Sequence, residues 1–497
     1  MTARLAPWNR GALWRKSPSP SETGPAPLTY SQERFWFLDR LQPGDPAFHI
    51  SGAYRASGEL SAPAVEAAVR EILRRHEPLR SRIEEIDGVP FQVPLPVSAF
   101  TLPRVDLSRL APAHADRRLA AHAREVAVRP FDLAGGPLLS FVLARLDDRE
   151  HGALLNMHHV ASDGWSAGVF VQELAALYPE LAGGRPSPLP ELAVTYADFA
   201  RWQRERLDGE VLAAAVERWR ERLDGAPQVL ELPTDRPRPR QTSHRGALHV
   251  ERIGAARTRA LEALGRDGGA TLFMVLGAVV GAFFGRLAGQ RELLLGTPVA
   301  GRVRHEVEGL IGLFVNTLVL RVDLAGGPSF TDLVGRFRRT SLDAFGDQEV
   351  PFERLVEALE PTRDLSRSPL FQLLVALQNT PSKRVETGGV TLTPLDAWRE
   401  AAQLELTLFF EQEDDGSLSL SFQYNPDLYD ASTVARWSRA LRRLLDAAAE
   451  RPEAPVGLLP LWSAAERHQV LAEWNDTAAA GPEPPTLVDR FAVAVVG

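Results

Sequence analysis

The stretch Leu232–Gln241, LPTDRPRPRQ, constrains the architecture more than any other, because it places three prolines in a short polar run. Each proline fixes φ and removes a backbone donor, so neither a helix interior nor a central strand can run through it. It therefore reads as a boundary. Mixed helix and strand patterning lies on both sides. Before it, SAPAVEAAVREILRRHE puts Val65, Val69, Ile72 and Leu73 on one helical face, and YSQERFWFLDRL does the same with Phe35, Trp36, Leu38 and Leu41 behind Ser31 as N-cap. SFVLARLDDREHGALLNMHH reads as a hairpin that turns at Asp147–Glu150, and SAGVFVQELAALYPEL as a helix beginning near Ser166. YADFARWQRERLDGEVLAAAVERWRERL is a long charged helical region between the two halves. Beyond the boundary come helices at 255–266, 270–288 and 329–346, strands at ELLLGTPV, NTLVLRVDL and LSLSFQYN, and an amphipathic helix near 432–449. With 497 residues, too many for one ordinary domain, the expectation is an α/β protein of two similar lobes.

Composition narrows the function. Hydrophobic residues make up 44% and charged residues 24%, the balance of a globular chain with sizeable cores. The net charge is −8, lysine occurs only at positions 16 and 383, and no basic block exceeds a triplet, which argues against nucleic acid as a partner. There is no cysteine, so disulfides, thiolate metal sites and a cysteine nucleophile are excluded, and a reducing cytoplasm is the expected compartment. Residues 1–27 contain no apolar core of the kind a signal peptide needs and read as a flexible lead-in. The longest uncharged run, Ala270–Gly285, falls short of a membrane span and reads as a buried helix.

NMHHVASDGWSAG, Asn156–Gly168, holds two competing signatures. Its right half, GWSAG, fits the G-x-S-x-G nucleophile elbow with Ser166 at the centre. An elbow needs the strand to run straight into the pattern, yet the strand ALLNMHH ends several residues before Gly164. Ser166 instead occupies a helix N-cap, where its hydroxyl serves a backbone N–H. The left half offers His158 and His159, turned to opposite faces at a strand end, so that one supports the backbone while the other reaches a cleft. A neutral imidazole is a natural general base near pH 7. The bland alternative makes both histidines structural and SDG a simple turn. Metal binding is disfavoured, since adjacent strand histidines diverge and no third ligand has suitable spacing.

MHHVASDGWS (157–166) closely resembles the core signature of condensation domains from nonribosomal peptide synthetases. TYSQERFWFLDRL (29–41), RRHEPLRSRI (74–83), YADFARWQ (196–203), GTPVAGR (296–302), IGLFVNTLVLR (311–321), PFERLVEAL (351–359) and RDLSRSPLFQ (363–372) resemble further motifs of that family in the same order. The patterning is most similar to the subgroup that joins two L-residues. LLPLWSAAERHQVLAEWNDTAA (458–479) resembles the linker to an adenylation domain, and TLVDRFAVAVVG the start of one. The implied organisation is a lead-in or docking tail at 1–27, an N-terminal lobe at 28–205, a C-terminal lobe at 206–451, and a linker with a truncated adenylation start at 452–497. One departure stands out: Asp347 in DQEVPFE where the family often has histidine.

The resemblance implies two chloramphenicol acetyltransferase-like lobes forming a V with a central tunnel. The implied reaction joins a donor acyl or peptidyl thioester to the amine of an acceptor aminoacyl thioester, both carried on phosphopantetheine arms. His159, with His158 and Gly164, is the implied catalytic group, either deprotonating or positioning the amine. Asp163 is assigned to structure and paired with an arginine, Arg75 first and Arg302 second. Arg80, Trp165, Ser166 and Asn316 are candidates for lining the tunnel, each against a packing or backbone-bonding alternative. The domain itself needs no cofactor or metal. Its implied partners are donor and acceptor carrier proteins, with an adenylation domain or a small accessory protein besides, and it is expected to act as a monomer away from membranes. An epimerase, a starter domain using acyl-CoA and a non-catalytic docking platform share enough of the pattern to stand as alternatives.

Overall fold

A computed structural model describes residues 24–207, 209–360, 364, 366–378, 384–395, 401–477 and 486–496. Most of the expected lead-in lies outside the described residues. The first half contains strands β1 (Ala26–Pro27), β2 (His49–Ser57), β3 (Ser81–Ile86), β4 (Val89–Pro94), β5 (Arg104–Asp106), β6 (Leu139–Arg145) and β7 (Glu150–His158). Its helices are α1 (Tyr30–Leu41), α2 (Ala62–Arg75), α3 (Pro112–Val128) and α4 (Gly164–Ala182), followed by α5 (Tyr196–Arg206) and α6 (Gly209–Leu223). The second half contains strands β8 (Ala247–Ile253), β9 (Glu292–Val299), β10 (Asn316–Asp323), β11 (Leu373–Gln378), β12 (Val385–Thr387), β13 (Val390–Pro394), β14 (Leu406–Gln412) and β15 (Leu418–Tyr424). Helices α7 (Ala255–Asp267), α8 (Leu272–Ala288), α9 (Phe330–Gly346), α10 (Phe352–Leu359) and α11 (Ala431–Glu450) accompany them, with α12 (Ala464–Leu471) and α13 (Leu487–Val496) in the tail.

Two six-stranded sheets organise the halves, one ordered β12-β13-β2-β7-β6-β5 and the other β10-β9-β11-β14-β15-β8. They repeat one plan. In each, a hairpin is flanked by an antiparallel strand on one side and a parallel strand on the other: β2, β7, β6, β5 in the first lobe and β8, β15, β14, β11 in the second. Each hairpin leads into a long helix, α4 or α11. A larger apolar core fills the second lobe around α8, whose residues Met274–Gly285 are all buried. Among the described residues no single helix is long and apolar enough to cross a membrane.

Two backbone segments of the second half cross to the first lobe. Strands β12 and β13 leave the second half and extend the first lobe's sheet, with Thr391–Pro394 pairing against Tyr54–Ser57. A division at 205/206 leaves this crossing out, because the partner strand lies more than 300 residues away and no local pattern announces it. The loop between β9 and β10 makes the second crossing: Ile311 and Leu313 join the first lobe's core, while Val307, Leu310 and Phe314 pack on Tyr196, Phe199 and Trp202 of α5.

Several local expectations are corrected. Thr29, not Ser31, caps α1, and its side chain forms a reciprocal capping box with Gln32. Leu41 is exposed although Phe35 on the same helix is buried. The long charged helical region is two helices, since α5 ends at Arg206 and Leu207 takes a non-helical conformation. Leu232–Gln241 is irregular, as its prolines demand, and Arg238 fixes it to the second lobe through a bidentate pair with buried Glu405.

Candidate active site

The paired histidines sit where β7 ends. His158 closes the strand, and His159–Ala161 forms a single 3-10 turn before α4. His158 points into the core: its Nδ1 accepts the Val160 N–H at 3.0 Å, and its carbonyl accepts the Ser162 hydroxyl at 3.0 Å. Burial, together with the charges of His49 and His159 when protonated, pushes its pKa down to about 3, so it is a neutral brace for the turn. Rings of His49 and Phe131 pack edge-on against it, both with centroids 5.9 Å away.

His159 lies on the opposite side, as strand alternation requires, and is only partly buried. Its ring stacks on Phe35 of α1, with centroids 4.7 Å apart and planes 16° apart. Burial lowers its pKa from the usual imidazole value; the Asp163 carboxylate pulls the other way and the Arg34 guanidinium adds to the lowering. The ring is therefore neutral at pH 7 and able to accept a hydrogen bond or a proton.

Asp163 is the N-cap of α4, so the cap lies three residues before Ser166. Both oxygens of its carboxylate are engaged. Oδ1 accepts the Ser166 N–H at 2.8 Å, the Ser166 hydroxyl at 2.7 Å and Arg302 Nη2 at 3.2 Å, while Oδ2 accepts the Phe314 N–H at 3.0 Å. The arginine partner is thus Arg302, and Arg75 is corrected to a different cluster. Arg75 forks onto Glu173 of α4, which also bonds His76 Nε2 at 3.1 Å; burial alone would raise the Glu173 carboxyl, but these partners hold it low. His76 Nδ1 then accepts the Ile311 N–H, so this cluster also grips the crossing loop. Arg75 ends α2 against Glu173 of α4, whereas Arg302 lies in the loop after β9 that meets Asp163, so each arginine takes the carboxylate its own segment reaches.

Arg302 is almost wholly buried and holds its own loop through Val307 and Leu310 carbonyls at 2.6 and 2.8 Å. Its guanidinium lies 4.0 Å from the Phe314 ring centroid. Gly301 just before it has φ +64°, and a Cβ there would meet the Phe314 carbonyl oxygen at 1.9 Å, so glycine is required. Gly164 is different: its φ is not in the left-handed region, and a Cβ would meet no described atom within 4 Å. The turn does not need glycine there; the space in front of it is open.

The remaining candidates divide. Ser166 is fully buried; besides Asp163, its hydroxyl engages the Gly312 carbonyl at 2.8 Å, the Gly312 N–H at 3.1 Å and Arg302 at 2.9 Å. A hydroxyl so occupied is no nucleophile. Trp165 is 44% exposed and donates to the Glu308 carbonyl at 2.9 Å, across the lobe boundary. Arg80 is spent on the Leu73 and Leu95 carbonyls. Asn316 bonds the Gln348 and Val350 carbonyls and the Phe352 N–H, holding the turn before α10. The structure therefore brings His159, Asp163, Gly164, Trp165, Ser166 and Arg302 together, and places Arg75, Arg80 and Asn316 in separate backbone or ion-pair networks. Sequence reasoning did not assign Gly312 and Phe314, which bond Ser166 and Asp163 from the crossing loop, although both lie in the stretch IGLFVNTLVLR; nor did it assign Glu173 and His76, the partners of Arg75 in the separate cluster.

Asp347 has its own solution. Burial would raise its carboxyl, but Arg218 and Arg222 of α6, each at 2.5 Å, reverse the sign and hold it low. The aspartate thus ties α6 to the end of α9.

The family profile described as Condensation domain matches residues 22–471. This chain belongs to the condensation-domain family. It is 43% identical over 454 residues to a linear gramicidin synthase of Brevibacillus parabrevis, covering 91% of this chain and 6% of that protein. It is 41% identical over 474 residues to phosphinothricin tripeptide synthetase PhsB of Streptomyces viridochromogenes, covering 93% of this chain and 39% of that one. This condensation domain therefore spans a minor part of these curated relatives. Among solved structures, the X-domain from teicoplanin biosynthesis, in complex with OxyB, superposes with a TM-score of 0.81 at 28% identity, covering 91% of this chain and all of that one. The two lobes are accordingly chloramphenicol acetyltransferase-like.

Proposed function

We propose that this condensation domain is an acyltransferase forming an amide between two carrier-bound substrates. The acceptor's α-amine attacks the donor thioester carbonyl; a C–N bond forms, the C–S bond breaks, and the proton lost from nitrogen is taken up by the departing thiolate. Aminolysis of a thioester is downhill, so neither ATP nor a metal is needed, and the phosphopantetheine arms arrive with the two carrier proteins rather than as a resident cofactor. The domain acts in this way as a cytoplasmic monomer. Holding amine and carbonyl together can lower the barrier by roughly 7–11 kcal/mol.

One observation carries the reading. Around the turn after β7, the side-chain oxygens of Asp163 and Ser166 are all engaged, whereas His159 is neutral and only partly buried. His159 would accept a hydrogen bond from the attacking amine and receive its proton as the tetrahedral intermediate forms. The resulting imidazolium is opposed by burial and favoured by Asp163, which suits a transient protonation followed by transfer to sulfur. Arg302 and Asp163 hold the turn and touch no substrate.

The test loads one carrier with an acyl group and a second with an aminoacyl group, mixes them with the protein, and follows amide formation by intact-protein mass. Growth of the acceptor's mass by the acyl increment is the expected result. Folded protein that binds both carriers and makes no amide would assign it to docking instead.

A further inference from the structure

A groove on the first lobe contains two half-sites of the same kind, and the lobe's own arginine occupies one of them. The groove is an open cavity of about 490 Å³ between the end of α1, strand β3 and the loop after α3, a volume within the range that ligands fill. In the first half, the Arg40 guanidinium lies 5.0 Å from the Trp36 ring centroid, and Glu85 of β3 pairs with it at 2.7 Å. The second half offers the same parts: the ring of Phe131 with the carboxylates of Asp39 and Asp132. Those carboxylates accept only short-range backbone bonds, from the Gly44 and Ala134 N–H groups, each at 3.0 Å. Among the described residues no basic side chain pairs with either. His49, edge-on to Phe131 at 5.0 Å, is held neutral by burial and brings no charge. Burial raises the Asp39 carboxyl, the Gly44 N–H opposes this, and neighbouring Asp132 adds to the rise. A cation between the two would relieve both effects.

The chain itself carries a matching occupant. Residues 1–23 hold Arg4, Arg10, Arg15 and Lys16 against one acid, Glu22, in a chain of net charge −8. Trp8 and Trp14 accompany these bases, in WNR and LWRK. The segment joins the described fold beside the groove. Ala26 of β1 pairs with Gln92 of β4, and Gln92 with Ile83 of β3, which lines the groove. Two strand spacings, roughly 10 Å, separate Ala26 from Ile83. The ten or so residues between Lys16 and Ala26 span up to about 33 Å when extended, so the groove is within reach.

We propose that Leu13–Lys16 docks in this groove of its own chain, Trp14 against Phe131 and the Arg15 and Lys16 charges on Asp39 and Asp132. The contact repeats the one Arg40 makes with Trp36 and Glu85, a cation held between an aromatic face and a carboxylate. The lead-in is then a ligand of its own lobe and not a tail that reaches for another protein.

The full chain has no cysteine, so disulfide trapping reports only the positions introduced. Ala12→Cys is combined with Ala134→Cys, at the groove, or with Glu84→Cys as control. Glu84 lies two strand spacings from Pro27, as Ile83 does from Ala26, but on the opposite face of β3. Disulfide formation under mild oxidation is followed by intact mass, with thermal unfolding to confirm that each variant is folded. The groove pair should close within one chain about 10-fold faster than the control pair. Asp39→Asn with Asp132→Asn keeps the oxygens that accept the backbone bonds and removes the charges. That double variant should slow the groove pair by about 5- to 10-fold and leave the control pair unchanged. Trp14→Ala should slow the groove pair as well. Equal rates for the two pairs would overturn the proposal. Slowing of both pairs alike by the double variant would mean general attraction between a basic segment and an acidic chain, and would overturn the groove. Fast closure indifferent to the double variant and to Trp14→Ala would overturn the recognition assigned to these residues. A covalent dimer formed through the groove pair would give the groove to a second copy and overturn docking within one chain.

Discussion

The end of β7 and the end of β15 occupy the same place in the two lobes, yet they are built for different purposes. Each closes a hairpin and leads through a connection of at most six residues into a long helix. After β7 the connection carries His159 and Asp163, with His158 as the last strand residue; after β15 it carries Asn425, Asp427 and Asp430, with Tyr424 last in the strand. In the second lobe these polar groups close back on their own lobe. Asn425 donates to the Ser243 carbonyl and accepts the Asp427 N–H, each at 2.8 Å, and Asp427 pairs with Arg245 at 2.7 Å. Asp430 makes no side-chain cap for α11; Asp235, from the proline-rich segment, accepts the Asp430 N–H and the Thr433 hydroxyl instead. In the first lobe the cap is local but reaches outward: Asp163 serves α4 and, across the boundary, Phe314 and Arg302. The fold supplies a turn twice. Only the turn whose polar residues face the other lobe leaves an imidazole for substrate.

The sharpest contrast between the two turns is chemical. His159→Ala should slow amide transfer by about 10²–10⁴-fold, the usual contribution of a positioned general base. Asn425→Ala, at the matching place, should change stability and leave the transfer rate of the folded protein unaltered. Equal kinetic losses at both positions would erase the distinction.

Next comes stability. Asp163→Ala leaves Arg302 buried without its counter-charge and should cost about 3–5 kcal/mol, read from denaturant or thermal unfolding. Asp430→Ala removes only a half-exposed pair with Arg236 and should cost at most about 1 kcal/mol. Comparable losses would mean that the cap of the second lobe carries more than its geometry shows.

The lobes should also differ in pH response. His158 holds a folded pKa of about 3, against the ordinary imidazole value in the unfolded chain. Between those values the unfolded chain binds a proton that the folded one refuses, so stability falls as pH drops through that window, by about 1.4 kcal/mol per pH unit. In the second lobe burial raises Tyr424 and Tyr429 above the usual phenol value. The unfolded chain then loses protons near pH 10 that the folded lobe keeps, and stability there falls as pH rises above that point. Hydrogen exchange across the pH range should show β7 and its neighbours opening first on the acid side, and both lobes loosening on the alkaline side, since burial also raises Tyr54 and Tyr196 of the first lobe.

Within the first-lobe turn, the smallest kinetic effect is expected at Ser166. Ser166→Ala should leave transfer close to wild type and lower stability by about 1–3 kcal/mol, because Asp163, Arg302 and Gly312 lose a buried partner.

Much of the fold was legible because it is local. The hairpin before His158 and helices α2, α4, α8 and α11 follow from apolar periodicity, whereas the prolines at 233, 237 and 239 mark an irregular segment within the second lobe, whose core already includes Trp219, Leu223, Leu230 and Leu232. What escaped is long-range. Nothing in VETGGVTLTP tells that β13 will pair with β2, and nothing in RRHEPLR tells that Arg75 will choose Glu173 over Asp163. The histidines were readable as a pair, and strand alternation separated their roles. The stack of His159 on Phe35 was not, since Phe35 is only one apolar position on a helix until α1 is docked. GWSAG matches a nucleophile pattern, but the strand ends too early for an elbow, and in the structure the Ser166 hydroxyl is occupied by Asp163, Gly312 and Arg302.

The most direct measurement is the single-turnover rate of amide transfer between loaded carriers for wild type, His159→Ala and Ser166→Ala, each checked for folding. Transfer that collapses with His159→Ala and persists with Ser166→Ala is the predicted result. Transfer that persists with His159→Ala, or that collapses with Ser166→Ala alongside an acyl adduct on the wild-type chain, would contradict it.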